Sequence, residues 1–165
     1  MTHILVDTAN TFFRARHVTR GDASEKVGMA IHIMFASIKK AWGDFDGSHV
    51  VFCLEGRSFR KDLYAPYKRN RKEMAEAMTE KEKEENDVFW ECYDDFVDFI
   101  KTKTNVTVLQ NPRVEADDLI ARWIDKHPDQ KHVIISTDKD LNQLITPRVK
   151  QYNGVNEVTM THEGW

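Results

Sequence analysis

The sequence is poor in cysteine and proline, has no long apolar run and carries no excess of positive charge. Its two cysteines, Cys53 and Cys92, stand in no metal-binding spacing and build no disulfide framework, which points to a reducing cytosol. No apolar stretch approaches the roughly 20 residues that a membrane helix needs, and Met1 to Asp7 lacks the basic start and long apolar segment of a signal peptide, so a soluble, cytoplasmic protein is expected. There is no internal repeat and no low-complexity linker. The seven histidines follow no base-and-nucleophile pattern; His32, inside an amphipathic stretch, reads as a packed or surface residue. A net charge of -3 is not the footprint of a uniformly basic nucleic-acid binder. What remains, 165 residues with 41% hydrophobic and 31% charged side chains, suits one globular domain with a core of its own.

The charge is unevenly spread, and that matters more than the sum. Arg57, Arg60, Lys61, Lys68, Arg69, Arg71 and Lys72 face a single nearby acid, Asp62, while Glu80 to Glu85 is mostly acidic. Phe59, Tyr64 and Tyr67 are interleaved with these cations. Aromatic faces stack on bases and cations hold phosphates, so the segment suits single-stranded or frayed nucleic acid. A solvated surface helix with snorkelling Arg and Lys would look similar.

Apolar runs ending in an acid recur along the chain. His3–Val6 leads to Asp7 and then a loop at Thr8-Ala9-Asn10, His49–Leu54 leads to Glu55, and His132–Ser136 leads to Thr137-Asp138-Lys139-Asp140. Val106–Leu109 is a further strand candidate. Helical spacing is predicted from Phe12 to Arg16, from Ser24 to Trp42 with Gly43 at its end, from Thr79 to Thr102, and from Glu115 to His127. Leu141–Ile145 reads as another helix start, and Val149–Tyr152 with Glu157–Met160 as a strand pair around Asn153-Gly154. Alternating strands and helices predict an α/β fold with a mostly parallel central sheet and helices on both faces.

In such a sheet the carboxyl ends of all parallel strands share one edge. Asp7, Glu55, the Glu115-Asp117-Asp118 cluster, Asp138 and Asp140 then fall together. Each acid alone could offset the positive end of a helix. Convergence from four segments instead predicts a cage for a hard cation, Mg2+ or Mn2+, because oxygen donors come without Cys or His. Two ions about 4 Å apart can clamp a phosphodiester, with Lys68 and Arg71 stabilising charge on its oxygens and Tyr67 stacking on a base. A haloacid-type phosphatase would want a second Asp two positions after Asp7, where Ala9 stands.

With Leu5-Val6-Asp7, Phe59-Arg60-Lys61-Asp62-Leu63-Tyr64, Tyr67-Lys68, Asn70-Arg71, Val114-Glu115-Ala116-Asp117-Asp118 and Ile135-Ser136-Thr137-Asp138-Lys139-Asp140 in order, the chain resembles the structure-specific 5′-nucleases. That family includes the 5′ to 3′ exonuclease domain of bacterial DNA polymerase I and bacteriophage flap endonucleases. The resemblance implies a PIN-like fold over residues 1–165 with a helical arch-like insertion near 60–90. It implies that Asp7, Glu115 and Asp117 hold one ion, that Asp138 and Asp140 reach toward a second, and that Asp118 stands outside them. Lys68 and Arg71 would contact the scissile phosphate, and Arg57, Arg60, Lys61, Tyr67, Arg69 and Lys72 would bind nucleic acid. Cys53 stands where most members have an Asp, and Glu55, two residues on and on the same face, is expected to replace it.

The implied activity is a divalent-metal-dependent 5′ to 3′ exonuclease or flap endonuclease acting on DNA ends, flaps or RNA primers during phage or bacterial replication. RNA–DNA hybrids and replication proteins are further expected partners. The alternative is a nucleic-acid-binding module with weak or partner-dependent cleavage. The family continues with another pair of acids and a helix-hairpin-helix module. This chain is expected to lack both, with a second ion site impaired unless a separate C-terminal half supplies it.

Overall fold

The computed structural model describes residues 1–18, 21–56 and 80–164. The cationic segment with Arg57, Arg60, Lys61, Tyr67, Lys68, Arg69, Arg71 and Lys72, and most of the arch expected near 60–90, lie outside the described residues.

Six strands form one sheet in the order β3-β2-β1-β4-β5-β6. They are β1 (Thr2–Asp7), β2 (His49–Cys53), β3 (Thr107–Leu109), β4 (Lys131–Ile135), β5 (Val149–Asn153) and β6 (Val158–Met160). The first five run parallel, and β6 turns back antiparallel to β5. β1 is buried along its whole length, which is why it reads as a continuous apolar run and not as an alternation. Its register fixes the site: Val6 lies opposite Phe52 and Ile135, and Asp7 lies opposite Cys53.

Helices cover both faces. On one, α1 (Thr8–Val18), α2 (Ala23–Phe45) and α3 (Glu80–Lys103) pack over Ile4, Val6, Phe52, Val133 and Ile135. Phe12 of α1 meets Phe89 and Tyr93 of α3 with ring centroids 5.2 and 5.6 Å apart in edge-to-face geometry, so α1 is pinned where it leaves the sheet. The predicted α3 stripe, Phe89, Tyr93, Phe96, Val97 and Ile100, is buried throughout. On the other face α4 (Ala116–Lys126) buries Ala116, Ile120 and Ile124 against Leu5, Val51, Cys53 and Ile134. Because side chains alternate along a strand, Asp7 and Cys53 share the α4 face with Leu5 and Val51.

Three local expectations change. There is no loop after Asp7: α1 begins at Thr8, and the Thr8 hydroxyl donates back to the Val6 carbonyl at 3.3 Å. α2 does not end at Gly43 but runs to Phe45. Its reversal is made by Asp46 at φ 56, then by Gly47, where a Cβ would lie 2.8 Å from the Trp42 ring. Residues Lys139–Leu144 form a 3-10 helix and not an α-helix, because Asp138 accepts the Asp140 amide at 2.9 Å and only one buried side chain, Leu141, anchors the turn.

Candidate metal centre at the carboxyl edge of the sheet

Four chain segments bring carboxylates to the strand ends. β1 delivers Asp7, which is 4% exposed, and its Oδ2 accepts a hydrogen bond from the Ser136 hydroxyl at 2.8 Å. Burial pushes its carboxyl up to about 7; the Ser136 bond opposes this, and the charges of Asp138 and Asp117 add to it. A buried acid so destabilised in its charged form is built to keep a proton or to meet a cation.

Glu55, just past β2, joins the same group. Its Oε2 accepts the Ala116 amide at 3.3 Å, so the N-terminus of α4 is capped from another strand. Glu115 occupies the N-cap position with extended backbone, but its side chain makes no capping bond. Burial, then the charges of Asp7, Glu115 and Asp117, raise Glu55 to about 8, against the Ala116 bond. Close packing sets its position. The Gly56 amide donates to the Val114 carbonyl at 3.3 Å, and a Cβ on Gly56 would fall 2.6 Å from the carbonyls of Asn111 and Pro112.

The first turn of α4 completes the cluster. One carboxylate oxygen each from Glu115, Asp117 and Asp118 lies within 4.8 Å of the others, with Asp118 the exposed member. Asp118 is thus close to Glu115 and Asp117 while facing solvent. Asp138 reaches Asp7 electrostatically, while its Oδ1 accepts the Asp140 amide at 2.9 Å. Asp140 is exposed, and no described contact carries its carboxylate to the other acids. Cys53, in register with Asp7, is fully buried. Burial and the Asp7 charge push its thiol far up, so it is a neutral packing group.

A polar frame that the sequence did not advertise holds these acids. Asn10 Oδ1, on α1, accepts from the Thr137 amide and hydroxyl at 3.0 Å each, and lies 3.2 Å from the Ser136 hydroxyl whose proton Asp7 takes. The Asp138 amide donates to Ser136 Oγ at 3.0 Å. From β5, Gln151 Nε2 donates to the Ser136 and Asp138 carbonyls at 3.2 and 2.8 Å. Both partners are acceptors, which fixes the orientation of the amide. A polar run directly after an apolar strand was the available signal, and it was read only for its acids.

Four histidines scattered in sequence meet at the opposite edge. His3 lies 5.0 Å from His132, 5.2 Å from His127 and 6.0 Å from His49 between ring centroids. His3 Nδ1 accepts from Trp123 Nε1 at 2.9 Å, and burial followed by the neighbouring imidazoles lowers its pKa to about 4. His132 is lowered too, first by burial. His3 and His132 are neutral packing groups. Among the described residues, the group able to surround one ion is Glu115, Asp117 and Asp118.

The family described as 5′-3′ exonuclease, N-terminal resolvase-like domain, matches residues 2–164. The flap endonuclease Xni of Aeromonas hydrophila is 31% identical over 157 residues, covering 90% of this chain and 54% of that protein. The 5′-3′ exonuclease of Buchnera aphidicola subsp. Baizongia pistaciae is 25% identical over 167 residues, covering 97% of this chain and 51% of that protein. The chain thus spans about half the length of these relatives. Among solved structures, T5 5′-exonuclease with bound zinc superposes with a TM-score of 0.74 at 24% identity, over 98% of this chain and 58% of that one. The T5 D15 flap endonuclease complex with DNA and metal ions gives 0.67 at 24% identity, over 96% and 57%. At that identity the likeness speaks for the fold.

Proposed function

Because this chain belongs to the 5′-3′ exonuclease family through its N-terminal resolvase-like domain, we propose that it is the metal-binding catalytic part of a 5′-nuclease. Its substrate would be DNA ends or flaps, with RNA primers as a further one. The observation that carries the reading is the convergence of Asp7, Glu55, Glu115, Asp117 and Asp138, from four segments, within electrostatic reach of one another. An all-oxygen donor set fits a hard divalent cation, Mg2+ or Mn2+.

Asp7, Glu115 and Asp117 would hold one ion with Glu55 beside them, and Asp118 on the outer side of the same turn. Asp138 and Asp140 would face a second. Bound there, divalent ions supply a water of lowered pKa and positive charge for the leaving oxygen. The chain's own residues do the rest. Ser136 and Asn10 fix the rotamers of Asp7 and the 137–138 loop, and Glu55 ties the metal edge to α4 by capping it. The α4 amides near Ala116 add their positive dipole end to a site that collects negative charge. Lys68 and Arg71 are assigned the scissile phosphate, and Arg57, Arg60, Lys61, Tyr67, Arg69 and Lys72 the strand beyond it, on the family resemblance together with their pattern of cations and aromatics.

Among the described residues no helix is long and apolar enough to cross a membrane, and a cytoplasmic site of action fits this substrate class. A nucleic-acid-binding module that cuts weakly unaided is the second reading; it is favoured by Asp140, whose exposed carboxylate is not gathered with the others. The test uses a 5′-labelled flap and a blunt duplex with Mg2+ and with EDTA. Short labelled products from the flap only with Mg2+ support the nuclease; cleavage that persists in EDTA overturns the metal mechanism.

A further inference from the structure

Beside the acidic edge, between the 3-10 helix and the end of β5, lies a hollow of about 490 Å³ whose lining includes Lys139, Asn142, Gln151, Asn153, Asn156 and the apolar Val158. Two features decide what it can take. Asn153 Oδ1 is committed to the Val155 and Asn156 amides at 2.9 and 3.3 Å, and Asn156 Oδ1 to the Val158 amide at 3.2 Å. Both side-chain oxygens are thus engaged on the β5–β6 turn, fully for Asn153 and in part for Asn156, and their NH2 groups remain as donors. Lys139 is exposed, and among the described residues no carboxylate pairs with its ammonium.

A cation with several amide donors at one hollow matches the oxygens of a phosphate. Its place selects the source. Thr137 and Lys139 flank Asp138, and Gln151 clamps the carbonyls of Ser136 and Asp138, so the hollow shares a wall with the loop that carries the metal-site acid. Resting on the nuclease reading above, we propose that this hollow is a phosphate subsite. It would hold a phosphodiester of the substrate strand next to the metal edge through Lys139, Asn153 and Asn156. Asp138 and Asp140 on either side of Lys139 repel a phosphate unless a divalent ion offsets them, so strand binding here requires that ion.

The test is binding of a labelled single-stranded oligonucleotide in Ca2+, followed across a salt titration, for wild type, Lys139→Ala, Lys139→Arg and the Asn153→Asp/Asn156→Asp double variant. Asp keeps the oxygen that each turn uses and replaces the donor with a negative charge, so the fold is retained while the contact reverses. Lys139→Ala is expected to weaken binding several-fold and to flatten the log–log salt slope by about 0.7, the value of one phosphate contact on a single strand. Arg at 139 restores both, and the double variant weakens binding roughly tenfold or more. Wild-type affinity and slope in both the alanine and the double variant overturn the subsite. So does inorganic phosphate binding wild type as tightly as the oligonucleotide, which assigns the hollow to free phosphate. The two readings separate. A wild type that cuts flaps beside variants that bind normally sinks the subsite alone. A wild type without metal-dependent cleavage that still loses strand binding with Lys139 sinks the nuclease reading alone.

Discussion

Asp7 and Glu55 are costly residues for a metal-free protein. Their folded values, about 7 and about 8, stand above the ordinary 3.8 and 4.5. The folded chain therefore holds protons that the unfolded chain has released, and stability falls as pH rises through that window. Ionising Asp7 inside the fold costs up to roughly 4 kcal/mol. His3 and His132 act in the other direction: with folded values lowered from 6.5, to about 4 for His3, their contribution is present above 6.5 and is lost as pH falls. Thermal melts in EDTA across this range should show an alkaline limb that Asp7→Asn flattens by a few kcal/mol, while the acid limb stays. Melts of that variant that overlie wild type would refute the assignment. Glu55→Gln is a sharper probe, because Gln can still accept the Ala116 amide. The helix cap should survive, while divalent-ion affinity falls roughly tenfold or more. Unchanged metal-dependent cleavage would remove Glu55 from the site. The acids were legible in the sequence because each follows an apolar strand. Ser136, Asn10 and Gln151 were not, since hydrogen-bonded neighbours separated by up to 129 residues leave no spacing to read.

At the scale of elements, α4 links the two ends of the sheet and is clamped at both. Glu55 caps its first turn. At its other end the Arg148 guanidinium donates to the carbonyls of Ile124, His127 and Gln130 at 3.4, 3.2 and 3.0 Å. Arg148→Ala should lower stability by about 1–3 kcal/mol in urea melts, by leaving carbonyls at a half-buried helix end without partners; a loss within error would show that water replaces the guanidinium. Helix positions were largely legible from their apolar stripes, as α3 shows. Their ends were less so, because capping depends on which backbone adopts φ above zero, and Asp46 took that role in place of Gly43. The switch from β1 straight into α1 was hidden for a similar reason. Thr8-Ala9-Asn10 looks like turn chemistry, and it is Phe12 packing on α3 that commits these residues to a helix.

For the whole molecule, sheet order is the decisive fact. With β1 central and β2 and β4 on either side of it, three strand ends and the start of α4 meet at one edge, while four histidines gather at the other. That polarity was legible from parallel topology alone, because every parallel strand points its carboxyl end the same way. Which acids would close on one another was not: Asp118, though exposed, lies beside Asp117, and no described contact brings the exposed Asp140 to them. The central claim is that these carboxylates form a shared cation site and not separate helix caps. Its most direct test is calorimetric Mn2+ titration near pH 7, about where Asp7 titrates, in two buffers of different ionisation enthalpy, for wild type and Asp117→Asn. A shared site predicts saturable uptake with proton release from Asp7 and Glu55, lost in the variant. Absence of saturable uptake, or uptake indifferent to Asp117 and to buffer, would contradict it.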